Sequence, residues 1–264
     1  MKISVIIPTY KPKNYIWECL DSLICQAFSK EDFEIIIVLN GCNEPWRSEI
    51  EKYIKVNMNE MNVKLIQTDS PGVSNARNLA LDYVKGEYVT FIDDDDYVSA
   101  NYLQDLYRCS SIDQIGCAHP IAFDENGMRG YSLEKEWKKL SCLGSSNYYK
   151  GRKLFQGPCM KLIHHNIIGS RRFDVNFSNG EDSLFMFLIS DRFKQVLATR
   201  DTAIYYRRVR VDSAAYSKKS FYVKLRNSLR LIFSYLKIYL KHLDSYDFKF
   251  FITRVIGAMR MCLN

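Results

Sequence analysis

Four consecutive carboxylates, Asp93-Asp94-Asp95-Asp96, follow the apolar segment Tyr88-Val89-Thr90-Phe91-Ile92. Adjacent carboxylates repel one another, and beside a buried strand that repulsion needs a counter-cation. A hard divalent ion, Mg²⁺ or Mn²⁺, held by one or two carboxylates and completed by phosphate oxygens, satisfies such a run. The plainer alternative is a solvated acidic turn ahead of a helix that begins near Ser99; the preceding strand favours metal. A calcium loop fits less well, because the glycine and distant glutamate of an EF-hand are missing.

The elements that must deliver this run are legible in the first 110 residues. Apolar, β-rich runs over 3–7, 33–39, 63–67 and 88–92 alternate with helical patterns. Ile16, Cys19, Leu20, Leu23, Ile24 and Phe28 recur at helical spacing after the first strand; Val73, Ala76, Leu79, Ala80, Tyr83 and Val84 do so before the fourth, where Gly86 supplies a stop. The pattern predicts a parallel sheet with helices on both faces. Ligands of such sheets bind outside the carboxyl ends of the strands. Pro8-Thr9-Tyr10, Asn40-Gly41-Cys42 and Thr68-Asp69 therefore join the aspartates around one cleft. Another strand is expected over 115–123, a helix near 181–190 and a strand near 196–207. Between them, 124–161 carries five glycines and no clear period, as substrate loops often do.

Several segments occur in an order that resembles a known family. They are Ser4-Val5-Ile6-Ile7-Pro8-Thr9-Tyr10, Cys19-Leu20-Asp21-Ser22-Leu23 with Gln26, Gly72-Val73-Ser74-Asn75-Ala76-Arg77-Asn78, Lys85-Gly86-Glu87-Tyr88 and Phe91-Ile92-Asp93-Asp94-Asp95-Asp96. Together they resemble the family 2 glycosyltransferases, inverting enzymes of the GT-A fold. The resemblance implies an α/β nucleotide-sugar fold over 1–214, with 1–110 as the nucleotide-binding half and 111–214 as the acceptor half. It also implies a nucleoside-diphosphate sugar donor, a UDP-sugar by preference, and Mn²⁺ or Mg²⁺ as cofactor. Pro8, Thr9 and Tyr10 would contact the nucleotide, Asp93 and Asp95 the metal, and Asp94 the ribose. Asn40 stands where an aspartate commonly reads the uracil edge; its amide donates and accepts but lacks the charge. Asn40-Gly41 is equally a strong turn pair. Arg77 is placed towards the nucleotide, with an ion pair on a helix face as the alternative.

An inverting transfer needs one base for the acceptor hydroxyl. The resemblance assigns that role to Asp182, with Glu181 as its orienting neighbour, in Asn179-Gly180-Glu181-Asp182-Ser183. The alternative is that both acids merely cap the following helix. Gly157-Pro158-Cys159-Met160-Lys161 resembles the acceptor-pocket segment, so Lys161 would face phosphate or acceptor. Tyr205-Tyr206-Arg207-Arg208-Val209-Arg210 with Ser213 resembles the family's closing motif, in which Arg208 and Arg210 would clasp the diphosphate. Solvated arginines on an edge strand are the alternative. His164 and His165, among Leu162, Ile163, Ile167 and Ile168, read as partly buried histidines rather than metal ligands.

The formal charge of +7 is concentrated in the tail: 215–264 holds ten Lys or Arg against Asp244 and Asp247, leaving the first 214 residues at −1. Leu225, Leu229, Ile232, Phe233, Leu236 and Leu240 share one helical face there, and a second aromatic and basic segment covers 248–261. Basic amphipathic helices suit a membrane surface, and packing on the catalytic domain or a homodimer would use the same pattern. No recognisable nucleic-acid fold accompanies the charge, so nucleic acid is not an expected partner. The short apolar run at the N-terminus and the lack of any run of about 18 apolar residues predict a cytoplasmic protein, peripheral on the inner face of the plasma membrane if the tail binds lipid. Eight cysteines without a Cys-x-x-Cys pair fit a reducing compartment and speak against structural zinc. The expected activity is transfer of a hexose or N-acetylhexosamine to a glycan or lipid-linked glycan in cell-surface polysaccharide synthesis. The alternatives are a nucleotidyltransferase, which would carry a Gly-rich loop where Thr9-Tyr10-Lys11-Pro12 stands, and a non-catalytic nucleotide-sugar-binding protein.

Overall fold

The computed structural model describes residues 1–144, 146–210 and 220–263; Ser213 and the start of the basic tail, 215–219, lie outside the described residues. Strands β1 (Ile3–Thr9) and β2 (Phe33–Asn40) are buried along their whole length, as continuous apolar strands covered on both faces must be. Helix α1 (Tyr15–Ile24) lies between them, and α2 (Trp46–Asn57) leads from β2 to β3 (Asn62–Thr68). Helix α3 (Val73–Leu81) and β4 (Tyr88–Phe91) complete this half. After it come β5 (Tyr97–Val98), α4 (Tyr102–Cys109), β6 (Gln114–Cys117), β7 (His119–Asp124), β8 (Gly127–Arg129), α5 (Ser132–Ser141) and β9 (Ser146–Asn147). The remainder is β10 (Lys161–His164), α6 (His165–Ile168), α7 (Glu181–Leu188), β11 (Gln195–Ala198), β12 (Ile204–Arg208), α8 (Phe221–Lys241) and α9 (Phe248–Leu263).

The main sheet has the order β3-β2-β1-β4-β10-β6-β11-β9. Its first four strands are parallel, in a register that aligns Ile3 with both Phe33 and Tyr88. β10 runs antiparallel to β4 and β6, while β11 is parallel to β6. The sheet is therefore mixed beyond its nucleotide-binding half. A second sheet, β5-β12-β7-β8, sits beside the aspartate run.

Two expected strands each divide in two. The run 115–123 breaks at Ala118, leaving β6 in the main sheet and β7 in the second; the run 196–207 divides into β11 and β12 in the same way. Both halves of one run pair in parallel with both halves of the other, Gln195 with Gln114 and Ile204 with His119. The two segments thus cross between sheets side by side, and each stays apolar throughout. The stretch 124–161 is also less irregular than its composition predicts. It contains α5, whose Leu133, Trp137 and Leu140 are buried, with the Trp137 indole donating to the Cys117 carbonyl at 2.9 Å.

The C-terminal helices continue the core of the catalytic part. Phe187 on α7 meets Tyr235, Tyr246 and Phe250 with ring centroids 5.3, 5.1 and 5.7 Å away. The face of α8 that packs inward is Ser228, Leu231 and Tyr235. Leu229, Phe233, Leu236 and Leu240, most of the stripe singled out by sequence, are exposed. Among the described residues no helix is long and apolar enough to cross a membrane.

Candidate active site

The aspartate run begins one residue past the end of β4, beside the carboxyl end of β1, because these central strands are parallel and in register. Thr9 closes β1 and its hydroxyl donates to Asp94 Oδ2. Asn40 closes β2; its amide nitrogen donates to the Thr9 carbonyl at 2.7 Å and its oxygen accepts from the Gly72 N–H at 2.9 Å. Asn40 is thereby a brace between two strand ends and the loop that opens α3. Gly41 after it adopts φ +66°, and a Cβ there would lie 2.7 Å from Pro71 Cβ, so the turn requires glycine. Pro8 is buried within β1, and Tyr10 stands exposed at the rim.

Helix α3 carries Arg77 into the interior. Its side chain is 3% exposed, bridging Asp182 Oδ1 at 2.5 Å and Asp93 Oδ1 at 3.0 Å. Burial works against its charge, but Asp182 and Asp93 outweigh that and raise its pKa. The ion-pair alternative for Arg77 thus describes its place in this structure, and the pair it joins consists of two carboxylates that line the same cleft. Asp93 and Asp182 remain 41% and 31% exposed. The cleft has a volume of about 340 Å³, and Tyr131, Gln156, Gly157 and Arg207 complete much of its wall.

Each aspartate of the run has a separate partner. Asp95 Oδ2 meets Arg210 Nη2 at 2.6 Å. Arg208 donates through Nε to the Asp95 carbonyl at 3.0 Å and through Nη2 to Glu18 at 2.6 Å. Asp96 is buried, accepting from the Tyr205 hydroxyl and from the Arg208 N–H, both at 2.7 Å. Burial raises all of Asp94, Asp95 and Asp96, Asp94 to about 7, with the neighbouring aspartates adding to it; Arg210 opposes the rise at Asp94 and Asp95. The Asp96–Tyr205 pair escaped sequence reasoning, since its members lie 109 residues apart and no spacing links them. Tyr131 and Gln156 escaped it too, being in the stretch expected to be irregular.

Asp182 is the second residue of α7, and Glu181 opens that helix. Burial raises the Asp182 pKa; Arg77 opposes this and Asp93 adds to it. A partly ionised carboxylate at a cleft wall can accept a proton from a hydroxyl. Two glycines give it room. A Cβ on Gly157 would lie 3.5 Å from Asp182 Oδ2, and Gly180, at φ +91°, lets Leu231 of α8 approach within 2.5 Å of where its Cβ would be. Beside it, the Ser183 and Tyr235 hydroxyls are 2.5 Å apart. Lys161 is fully buried and donates to the carbonyls of Gly157 and Cys159 at 2.8 and 3.0 Å, bracing the loop under the cleft. Burial lowers its pKa. His164 accepts from the Asn166 N–H.

Among the described residues no three His, Cys, Asp or Glu side chains are placed to enclose a metal ion. The donor set nonetheless fits a divalent cation that arrives with a diphosphate. Such an ion needs only one or two protein carboxylates. Asp93 is open to the cleft, and Asp95 is held by an arginine that could turn to phosphate.

The sequence model of the family described as Glycosyl transferase family 2 matches residues 4–173. The poly(ribitol-phosphate) beta-N-acetylglucosaminyltransferase TarS of Staphylococcus aureus is 30% identical over 239 residues, covering 86% of this chain and 39% of that protein. A poly(ribitol-phosphate) beta-glucosyltransferase of Bacillus spizizenii is 37% identical over 210 residues, covering 78% of this chain and 32% of that protein. The chain thus spans between a third and two fifths of these curated relatives. The crystal structure of S. aureus TarS 1–349 superposes with a TM-score of 0.74 at 24% identity, covering 99% of this chain and 71% of that one, and so shares its fold. With the family pattern extending over well more than half of its residues, from β1 through the aspartate run to the segment before α7, the chain belongs to glycosyl transferase family 2.

Proposed function

We propose that the chain transfers a hexose or N-acetylhexosamine, with inversion, from a UDP-sugar to a hydroxyl of a cell-surface polymer, and that the polymer is of the polyol-phosphate type. The observation that carries this is the pairing of Asp93 and Asp182 through one buried arginine at opposite sides of a single cleft. The acceptor class follows from the names of the two relatives above, and the donor from a TarS structure in complex with UDP-GlcNAc.

In this reading the donor lies along the ends of β1, β2 and β4, with Thr9, Tyr10 and the braced Asn40 turn beneath the nucleoside. Asp94, tied to Thr9, faces the ribose. A divalent ion on Asp93 and Asp95 would offset the diphosphate charge and its growth as the leaving group departs. Arg208 and Arg210 lie at the same end of the run and can move from Asp95 to phosphate oxygens, where guanidinium forks bind well. Asp182 takes the proton of the attacking hydroxyl. The acceptor oxygen bonds to the anomeric carbon, the carbon–oxygen bond to the β-phosphate breaks, and UDP leaves with the electron pair. Arg77 holds Asp182 in place and favours its charged form; Glu181, beside it, orients the acceptor.

Residues 1–214 perform the transfer and 215–264 govern its placement, on the cytoplasmic face of the membrane where lipid-carried acceptors are met. The test is Asp182→Asn. UDP-sugar affinity with Mn²⁺ present should be retained, and transfer should fall by on the order of 10²- to 10⁴-fold, the usual contribution of a positioned base. Full transfer by this variant removes Asp182 from the role of base, and failure of any sugar nucleotide to raise the melting temperature with Mn²⁺ removes the donor assignment.

A further inference from the structure

Helices α8 and α9 are apolar on two sides. Inward, Leu231, Tyr235, Phe250 and Ala258 are buried against the rest of the molecule. Outward, about half a turn away at 3.6 residues per turn, Leu229, Phe233, Leu236 and Leu240 form an exposed line on α8. Phe248, Ile252, Ile256 and Met259 form a second on α9. Phe233 is 68% exposed, and no other part of the described chain exposes comparable lines of large apolar side chains. Residues packed only inward would leave the outer face polar, as helices at the surface of soluble domains usually do.

Charge identifies the occupant. Neither α8 nor α9 contains an acidic residue. Exposed Arg226, Lys237 and Lys241 flank the first line, and Lys249 and Arg260 the second. Arg254, by contrast, is turned inward, donating to the Arg152 carbonyl at 2.5 Å. A second copy of the chain would set these cations against one another, which costs affinity. An anionic lipid surface meets both demands: apolar side chains enter the boundary between headgroups and acyl chains while the flanking cations meet phosphates.

We propose that the outward face of the α8–α9 hairpin docks on an anionic bilayer. This deepens the membrane placement proposed above, and it makes one hairpin serve two surfaces. Its inner side packs on α7, where Leu231 touches Gly180 and Tyr235 touches Ser183, on either side of Asp182.

Flotation of the full chain with vesicles of phosphatidylcholine, alone or mixed with phosphatidylglycerol, tests it. Binding is expected to the mixed vesicles only and to weaken with salt. Phe233→Ser with Ile256→Ser, both at exposed positions, should reduce binding at least tenfold without lowering the melting temperature. Lys237→Gln with Lys241→Gln should reduce it by on the order of 25-fold, from about fivefold for each cation near a charged surface. Asp182→Asn should float as the parent does, which separates docking from catalysis. Equal binding to both vesicle types, no binding to either, or unchanged binding by the serine variant overturns the proposal. So does a solution dimer that the serine variant dissolves without any vesicle binding, which would give the face to a second copy.

Discussion

Gly180 and Leu231 form a contact whose energetics can be worked out and measured. Gly180→Ala places a methyl group 2.5 Å from Leu231 Cδ1 at a residue with φ +91°. The left-handed backbone costs roughly 1 kcal/mol for alanine. The overlap adds about 1–3 kcal/mol, because Leu231 is fully buried and cannot swing aside. Leu231→Ala removes the clashing atoms and leaves a cavity, at a cost of roughly 3–5 kcal/mol. In the double variant the new methyl occupies part of that cavity. The overlap disappears, only the backbone strain persists, and the loss should fall short of the sum by about 1–3 kcal/mol. Urea unfolding of the four proteins at equal salt measures this coupling. Losses that add to within about 0.5 kcal/mol would refute the reasoning, since they would mean that the two residues do not share the space.

Other predictions concern charge. Burial and Asp93 raise the Asp182 pKa while Arg77 opposes them, so Arg77→Gln should move the acidic limb of the transfer rate to higher pH. Each unit of movement costs roughly tenfold in rate below the new limb, and an unmoved limb with uniformly lowered activity would assign Arg77 a packing role only. Burial lifts Asp94 to about 7 from an ordinary 3.8. A carboxyl raised in the folded state contributes stability that is complete below the unfolded pKa and is lost as pH rises through 7. Mn²⁺ favours the ionised run, so its thermal stabilisation should be clearly larger at pH 8 than at pH 5.5. A Mn²⁺ shift independent of pH would argue that no proton leaves on binding.

The nucleotide-binding half was legible in sequence because its strands are continuous apolar runs and its helices carry one clear period. β1 to β4 fall within two residues of expectation at either end. The acceptor half was less so. A chain that passes from one sheet to another without a polar break, as at Ala118, looks like one strand. Helix α5 spaces Leu133, Trp137 and Leu140 at helical intervals, but the surrounding glycines obscured them. The tail misled in a more instructive way. Its most apolar stripe faces out, while the inward face uses Ser228 and Tyr235, whose polar groups make it look like the solvent side. Tyr235 can be buried because Ser183 meets its hydroxyl. The candidate site was legible as residue types; the partners that hold each residue, such as Arg77 between Asp93 and Asp182, were not.

Four identical residues in a row pose a problem of register for anyone aligning this chain with its relatives. Sliding the run by one position leaves the identity score almost untouched, yet it exchanges residues that differ in every physical respect. Asp93 opens to the cleft beside Arg77, Asp94 is tied to Thr9, Asp95 to Arg210, and Asp96 is an interior post under Tyr205. An alignment that lets Asp96 stand for a metal ligand would transfer a structural residue's tolerance for change to a functional position, and the reverse. The Tyr205 hydroxyl supplies the missing landmark: the aspartate that meets a tyrosine on β12 marks the end of the run, and the other three can be numbered back from it.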